Sequence, residues 1–313
     1  MELYKKNKSI CAKAFREIYA DNGGRYRLCC HAKPFDAKPN EKTTQPFDFF
    51  LSKEMEDIRQ KMIEGELIPQ CSTCHKMEEI NGDSYRIRHS TEHWTRHGLD
   101  DEVRNVTVKV RLFGSFCNLS CVMCHPVNSS ERRRELSKVF TDDEGKRILR
   151  KSGFTEKNIG YKKSEFDSYV EHINKHIHLI SKFQMIGGET LQLPKYWEFL
   201  DSIPEEHAKR IRVSQETNLS KLGLGNRHIK EYADKFSQLH VGVSVDHFGI
   251  KNEYIRYPIV QEEFEYNLKE LISYNDKIGI RLNATVSILN IEDLFEIERY
   301  YKENFNKKIY FEN

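Results

Sequence analysis

From residue 106 onward the apolar positions follow two alternating periods. Short runs rich in β-branched and apolar residues read as strands: VTVKVRLFGSF (106–116), KFQMIG (182–187), RIRVSQE (210–216), LHVGVSVD (239–246), GIRLNATVSI (279–288) and KIYF (308–311). Between them, residues 127–140, 164–180, 195–203, 226–236, 262–274 and 291–305 read as helices. Ser129 and Ser130 are candidate N-caps for the first, with Glu131 in its opening turn. Residues 141–163 are polar and punctuated by glycine, and read as a loop or lid. Strands alternating with helices predict parallel βαβ units. The count is too small for a closed eight-stranded barrel, so the expected fold is α/β, a partial (β/α)6 TIM-like barrel. No internal repeat or low-complexity tract interrupts it. In such barrels the functional residues sit where strands end.

The first third reads differently. Asp21-Asn22-Gly23-Gly24-Arg25 is a hairpin turn signal, Tyr26-Arg27-Leu28 a return strand, and about 52–64 a helix. A small hairpin-plus-helix, cysteine-rich module over 1–85, a linker over 86–105 and the barrel over 106–313 is the expected organisation.

Composition narrows the setting. The 313 residues are 38% hydrophobic and 31% charged, with a net charge of +2. This near balance speaks mildly against a long nucleic-acid footprint without excluding nucleic acid. No run approaches the roughly 18 apolar residues of a membrane span, and residues 1–15 contain no apolar signal core. The expectation is therefore a cytoplasmic protein with no membrane partner, whose eight cysteines serve metals or catalysis more than disulfides.

Those cysteines form two sets. Cys117, Cys121 and Cys124 follow the first barrel strand with C-x3-C-x2-C spacing. Three clustered thiolates can hold three irons of a [4Fe–4S] cluster and leave the fourth open to a small molecule. A structural zinc site is the alternative, and would have to recruit His125 or a distant cysteine as fourth ligand. Later strand ends carry Gly187-Gly188-Glu189-Thr190, Ser214-Gln215-Glu216-Thr217-Asn218, Ser244-Val245-Asp246 and Val286-Ser287-Ile288. Taken singly, these also read as turns or, for Val286 and Ile288, as barrel core.

In that order, the motifs resemble the radical S-adenosylmethionine (SAM) superfamily over residues 106–311. The resemblance implies a cluster on Cys117, Cys121 and Cys124 with SAM on its open iron. It also implies SAM contacts from Met123, Gly187, Gly188, Glu189, Ser214, Glu216, Asn218, Ser244, Asp246, Arg256 and Val286. The Gly-Gly-Glu stretch is similar to the family's Gly-Gly-Glu-Pro, with Thr190 for proline. Leu219 stands where the family often has glycine. Arg256, in Tyr254-Ile255-Arg256-Tyr257, is a candidate for an anionic group, and a surface salt bridge is the alternative. The implied activity is reductive cleavage of SAM to a 5′-deoxyadenosyl radical that takes hydrogen from a peptide or small molecule. The implied partner is a reductant such as flavodoxin or ferredoxin.

Cys11, Cys29, Cys71 and Cys74 form the second set, with C-x17-C and C-x2-C spacing. With Glu78, Gly82 and Ser84 they resemble the twitch module of radical SAM enzymes, which implies an auxiliary [4Fe–4S] cluster. A zinc site fits the same spacing, and Cys30 competes with Cys29 as ligand. Residues 83–104, with Arg86, Arg88, His89, His93, Arg96 and His97, are read as linker. The basic residues between Arg132 and Lys163 suit a solvated helix face or an acidic substrate. His125 and Tyr161 are further pocket candidates, and no catalytic base stands out. Two other readings remain open: a radical SAM enzyme acting on a nucleotide or nucleic-acid base, and a non-catalytic, metal-stabilised binding protein.

Overall fold

The computed structural model describes residues 7–20, 26–33, 35, 45–97, 105–110, 114–151, 163–274, 276–305 and 310–312. The hairpin turn at 21–25 and Tyr161 therefore lie outside the described residues. The chain divides into two units, residues 1–111 with 164–184, and residues 112–163 with 185–313.

In the first unit, β1 (Glu17–Ala20) pairs antiparallel with β2 (Tyr26–Arg27), the hairpin the turn signal predicts. On its other edge β1 runs parallel to β3 (Val106–Val110), with Ile18 opposite Val108. β3 in turn neighbours β4 (Ile180–Met185). The hairpin thus extends the β3 sheet. In β3 the alternation is clean, with Val106, Val108 and Val110 fully buried.

Helix Lys53–Glu64 starts at Ser52, whose hydroxyl caps Met55 N, and ends at Gly65, which adopts φ +86°. Its buried residues Met55, Arg59 and Met62 recur at helical spacing. Met55 and Met62 join Ile10, Cys11, Ala14, Phe15, Leu28, Ala32 and Ile68 in one apolar cluster. Residues read as a linker form most of a helix, Tyr85–His97.

The second unit holds a parallel sheet in the order β5 (Arg212–Thr217), β8 (Gln238–Ser244), β9 (Ile278–Asn283) and β10 (Tyr310–Glu312). A short hairpin, β6 (Gly223–Leu224) with β7 (Arg227–His228), precedes helix Ile229–Ala233. Ser129 caps helix Ser130–Val139 by accepting from Arg132 N. Part of the expected loop at 141–163 is a helix, Asp143–Lys151. The strand expected over 279–288 ends at Asn283. The architecture is mixed α/β with parallel strands, as the alternating periods predict. Among the described residues no helix is long and apolar enough to cross a membrane.

Candidate functional site

The cysteine loop of the second unit is fastened at several points by the protein itself. Ser120 N donates to Tyr257 O at 2.6 Å, and Val122 N to Ile255 O at 2.9 Å. Ser129 Oγ donates to Leu119 O at 2.7 Å, and Ser130 Oγ to Cys117 O at 3.1 Å. Glu189 N donates to Phe116 O at 2.7 Å. A Cβ built on Gly188 would lie 2.0 Å from that same carbonyl, and the residue takes φ +58°. Only glycine fits both demands. The close approach expected of the Gly-Gly pair is therefore made to the cysteine loop's own backbone.

Glu189 is fully enclosed and accepts from Asn218 N (2.7 Å), Thr217 Oγ1 (2.9 Å) and Leu191 N (3.3 Å). Burial outweighs these donors and raises its carboxyl to about 7. Its carboxylate braces the end of β5. Asn218 follows directly, and its Nδ2 reaches Asn118 Oδ1 at 2.9 Å and Cys117 Sγ at 3.8 Å. Leu219 takes φ +57°, a conformation that favours glycine, and is fully buried.

Arg256 and Asp246 are both buried and pair with each other, Nε to Oδ2 at 2.8 Å, off linear hydrogen-bond geometry. Asp246 Oδ1 also accepts from Thr285 N at 2.7 Å. This is a buried ion pair, not the surface bridge considered from sequence. It shares its segment with the Ile255 and Tyr257 carbonyls that hold the cysteine loop. Ser214, Glu216 and Ser244 occupy alternate strand positions in register with His240, Gly242, Arg281 and Asn283. There Glu216 bonds Arg281 Nη2 at 2.7 Å and Asn283, and the space its carboxylate fills is left by Gly242. It is not brought to the cysteine loop, whereas Met123 lies half-buried within that loop. Val286 and Ile288 are exposed, Ile288 at 93%, so neither belongs to the core.

The three thiols are largely buried, and burial pushes Cys117 up to about 12, Cys124 to about 11, and Cys121 upward as well. Arg256 and Arg132 oppose this at Cys121 and Cys124, and the Leu119 N–H (3.5 Å from Sγ) opposes it at Cys117. Burial favours the neutral thiol, so these three sulfurs would ligate a metal as thiolates only with a bound cation offsetting that cost.

In the first unit, Cys11, Cys29, Cys71 and Cys74 line one small pocket with Lys13, His31, Tyr85, Arg86 and His89. Cys30 is exposed and outside this lining. Burial raises all four lining thiols, Cys29 to about 12. The Cys-x-x-Cys helix Ser72–Asn81 ends at Gly82 (φ +72°). Glu78 then receives Arg86 through Nε (2.8 Å) and Nη2 (2.6 Å), and Ser84 Oγ at 2.5 Å. Arg86 Nη1 also reaches Ile10 O at 3.1 Å, which ties this helix to the segment carrying Cys11. That is the packing reason for Glu78, Gly82 and Ser84. Among the described residues no three His, Cys, Asp or Glu side chains converge on a single metal-ion position. Thiolates of a cubane need not do so, since each takes a different iron.

Sequence reasoning missed Asn118, Ser220 and the Phe116 carbonyl. Asn118 Nδ2 donates to Ser220 Oγ at 3.0 Å, and Gln192 Nε2 to the same hydroxyl at 2.8 Å. The one available signal was Asn118's place between two cysteines.

No protein-family model matches the chain, and no curated protein does. Several solved structures are similar over part of it. Native anSMEcpe with bound AdoMet is 19% identical with a TM-score of 0.44, over 66% of this chain and 52% of that one. Streptococcus suis SuiB is 16% identical with a TM-score of 0.42, over 82% and 49%. TYW1 with a lysine-pyruvate adduct bound is 10% identical with a TM-score of 0.32, over 81% and 90%. The chain spans about half the length of the first two, at 52% and 49%.

Proposed function

We propose that this chain is a radical SAM enzyme that acts on a peptide or small molecule, for a net oxidation or another modification. One observation carries this reading. The second unit contains three cysteines and no fourth, on a loop fastened by Gly188, Ser129, Ser130 and the Ile255 and Tyr257 carbonyls. A structural zinc site would have to take His125, whose Nδ1 already accepts from Val127 N at 3.2 Å, as its fourth ligand, whereas three thiolates suffice for a cluster with one open iron.

Cys117, Cys121 and Cys124 would hold that [4Fe–4S] cluster. When reduced, it supplies the electron that cleaves SAM's C5′–S bond and so delivers a hydrogen-abstracting 5′-deoxyadenosyl radical. The chain's own residues position and enclose. Glu189 fixes the end of β5 against the cysteine loop, which sets where Asn218 lies. Arg256 brings positive charge beside Cys121 and Cys124 while Asp246 partly neutralises it. Half-buried Met123 and exposed Val286 offer apolar surface for adenine.

Cys11, Cys29, Cys71 and Cys74 would saturate an auxiliary [4Fe–4S] cluster, with zinc as the alternative occupant. Four protein ligands leave no site for substrate there, which suits electron transfer or structural support. A flavodoxin or ferredoxin would supply the reducing electron.

The test is anaerobic iron, sulfide and zinc analysis, then incubation with SAM and dithionite and assay for 5′-deoxyadenosine. About eight irons per chain with 5′-deoxyadenosine formed supports both sites. About four irons with one zinc retains the enzyme and removes the auxiliary electron acceptor. Zinc alone with no SAM cleavage overturns the reading in favour of a metal-stabilised binding protein.

A further inference from the structure

The three thiols of the cysteine loop have different neighbours. Cationic side chains act on Cys121 and Cys124, through Arg256 and Arg132. Cys117 instead faces neutral N–H donors, Leu119 N at 3.5 Å and Asn218 Nδ2 at 3.8 Å, both within range for a sulfur acceptor.

The Asn218 amide is held in one orientation. Its Oδ1 accepts from Ser220 N at 3.0 Å and Ser220 Oγ at 2.7 Å. A backbone N–H can only donate, so the opposite edge of the amide must be the NH2 group. Its backbone N is fixed in turn by Glu189 Oε2. The residue is 6% exposed, so little water competes for the sulfur. Nδ2 carries two hydrogens, one for Asn118 Oδ1 and one directed toward Cys117 Sγ.

We infer that Asn218 is a positioning residue that sets the reduction potential of the cluster through an N–H···S bond to Cys117. The inference rests on the proposed cluster at Cys117, Cys121 and Cys124. Reduction adds one negative charge to the cluster and its thiolates. A donor aimed at a thiolate stabilises the more negative state further, and so makes reduction easier. Only the part of the bond's strength that differs between the two oxidation states moves the potential.

The experiment is an EPR-monitored redox titration of the reconstituted, full-length protein, following the signal that shifts on adding SAM. The variant Asn218→Asp keeps the shape and the Ser220 contacts and removes the donor. Asn218→Ala removes the side chain. Both are expected to shift the potential negative, with Asn218→Asp shifting it further because an oxygen then faces the sulfur. The expected change is a roughly three- to tenfold fall in reduced fraction at fixed poise, and tenfold is about 59 mV for one electron. Asn118→Ala, which removes the other acceptor and leaves the N–H toward Cys117 in place, is expected to leave the potential unchanged. Unshifted potentials in both Asn218 variants, with iron content and SAM response retained, overturn the inference alone. A wild-type protein with no SAM-responsive iron signal overturns the cluster reading and this inference together.

Discussion

The two cysteine sets are built on opposite physical plans. In the first unit Cys11 is packed among Ile10, Ala14, Phe15, Met55 and Met62 with Cys29 and Cys71 against the same apolar core, and the buried Arg86 ties the Cys74 helix to it through Glu78 and Ile10 O. The three thiols of the second unit are held by polar ties, namely backbone bonds to Phe116, Ile255 and Tyr257, the Glu189 carboxylate and the Arg256–Asp246 pair. Apolar packing is non-directional and suits a closed, fully ligated centre. Directional bonds hold a loop in one conformation, as the proposed three-thiolate centre with one open iron would require. The contrast predicts that the two sites fail under different perturbations.

The largest effect should come from breaking the buried pair. Arg256→Met leaves the buried Asp246 without its cation, at a cost of about 3–5 kcal/mol. Denaturant unfolding should show the loss. Iron should fall at the three-cysteine site before the four-cysteine site is touched, and equal loss at both would refute the contrast.

The converse substitution is Met62→Ala. It opens a cavity in the apolar cluster beside Cys11 and should cost about 2–4 kcal/mol. Metal should leave the four-cysteine site while the SAM-responsive iron signal persists.

A smaller effect follows from Glu189. Its folded-state value, raised by burial to about 7, lies above the ordinary value of 4.5. The folded chain therefore binds this proton more tightly than the unfolded one. The associated stability is fully present below about pH 4.5 and is lost as pH rises through about 7, on the order of 2–3 kcal/mol. Metal-free protein should lose stability across that window, and Glu189→Gln should flatten the loss. An unchanged slope in Glu189→Gln would assign the dependence to other groups.

The smallest effect tests the cap. Ser129→Ala removes the bond to Arg132 N and the donor to Leu119 O, and should cost about 1–2 kcal/mol. Thermal unfolding measures it, with iron content close to wild type.

Much of this protein is legible in local pattern. The alternation of strand and helix periods predicts the parallel α/β sheet, because side-chain direction repeats every two residues in a strand and every 3.6 in a helix. Cysteine spacing marks the Cys117–Cys121–Cys124 loop and the Cys71–Cys74 turn, whose members local geometry alone keeps close, whereas Cys11 and Cys29 reach the latter pair only in the folded chain. Ser129 as a cap and the antiparallel pairing of Tyr26–Arg27 with the preceding strand are of the same local kind. The helices Asp143–Lys151 and Tyr85–His97 read as loop and linker in the sequence because few of their residues are apolar. What only the tertiary structure decided is how residues far apart in the chain use their polar groups. It pairs Arg256 with Asp246, ties Glu216 to Arg281, sets Gly188 on the Phe116 carbonyl and selects Cys29 over Cys30 at the cavity wall. A sequence shows which groups can donate, accept or carry charge. Which partner each one takes depends on distance and burial, and those exist only once the chain has folded.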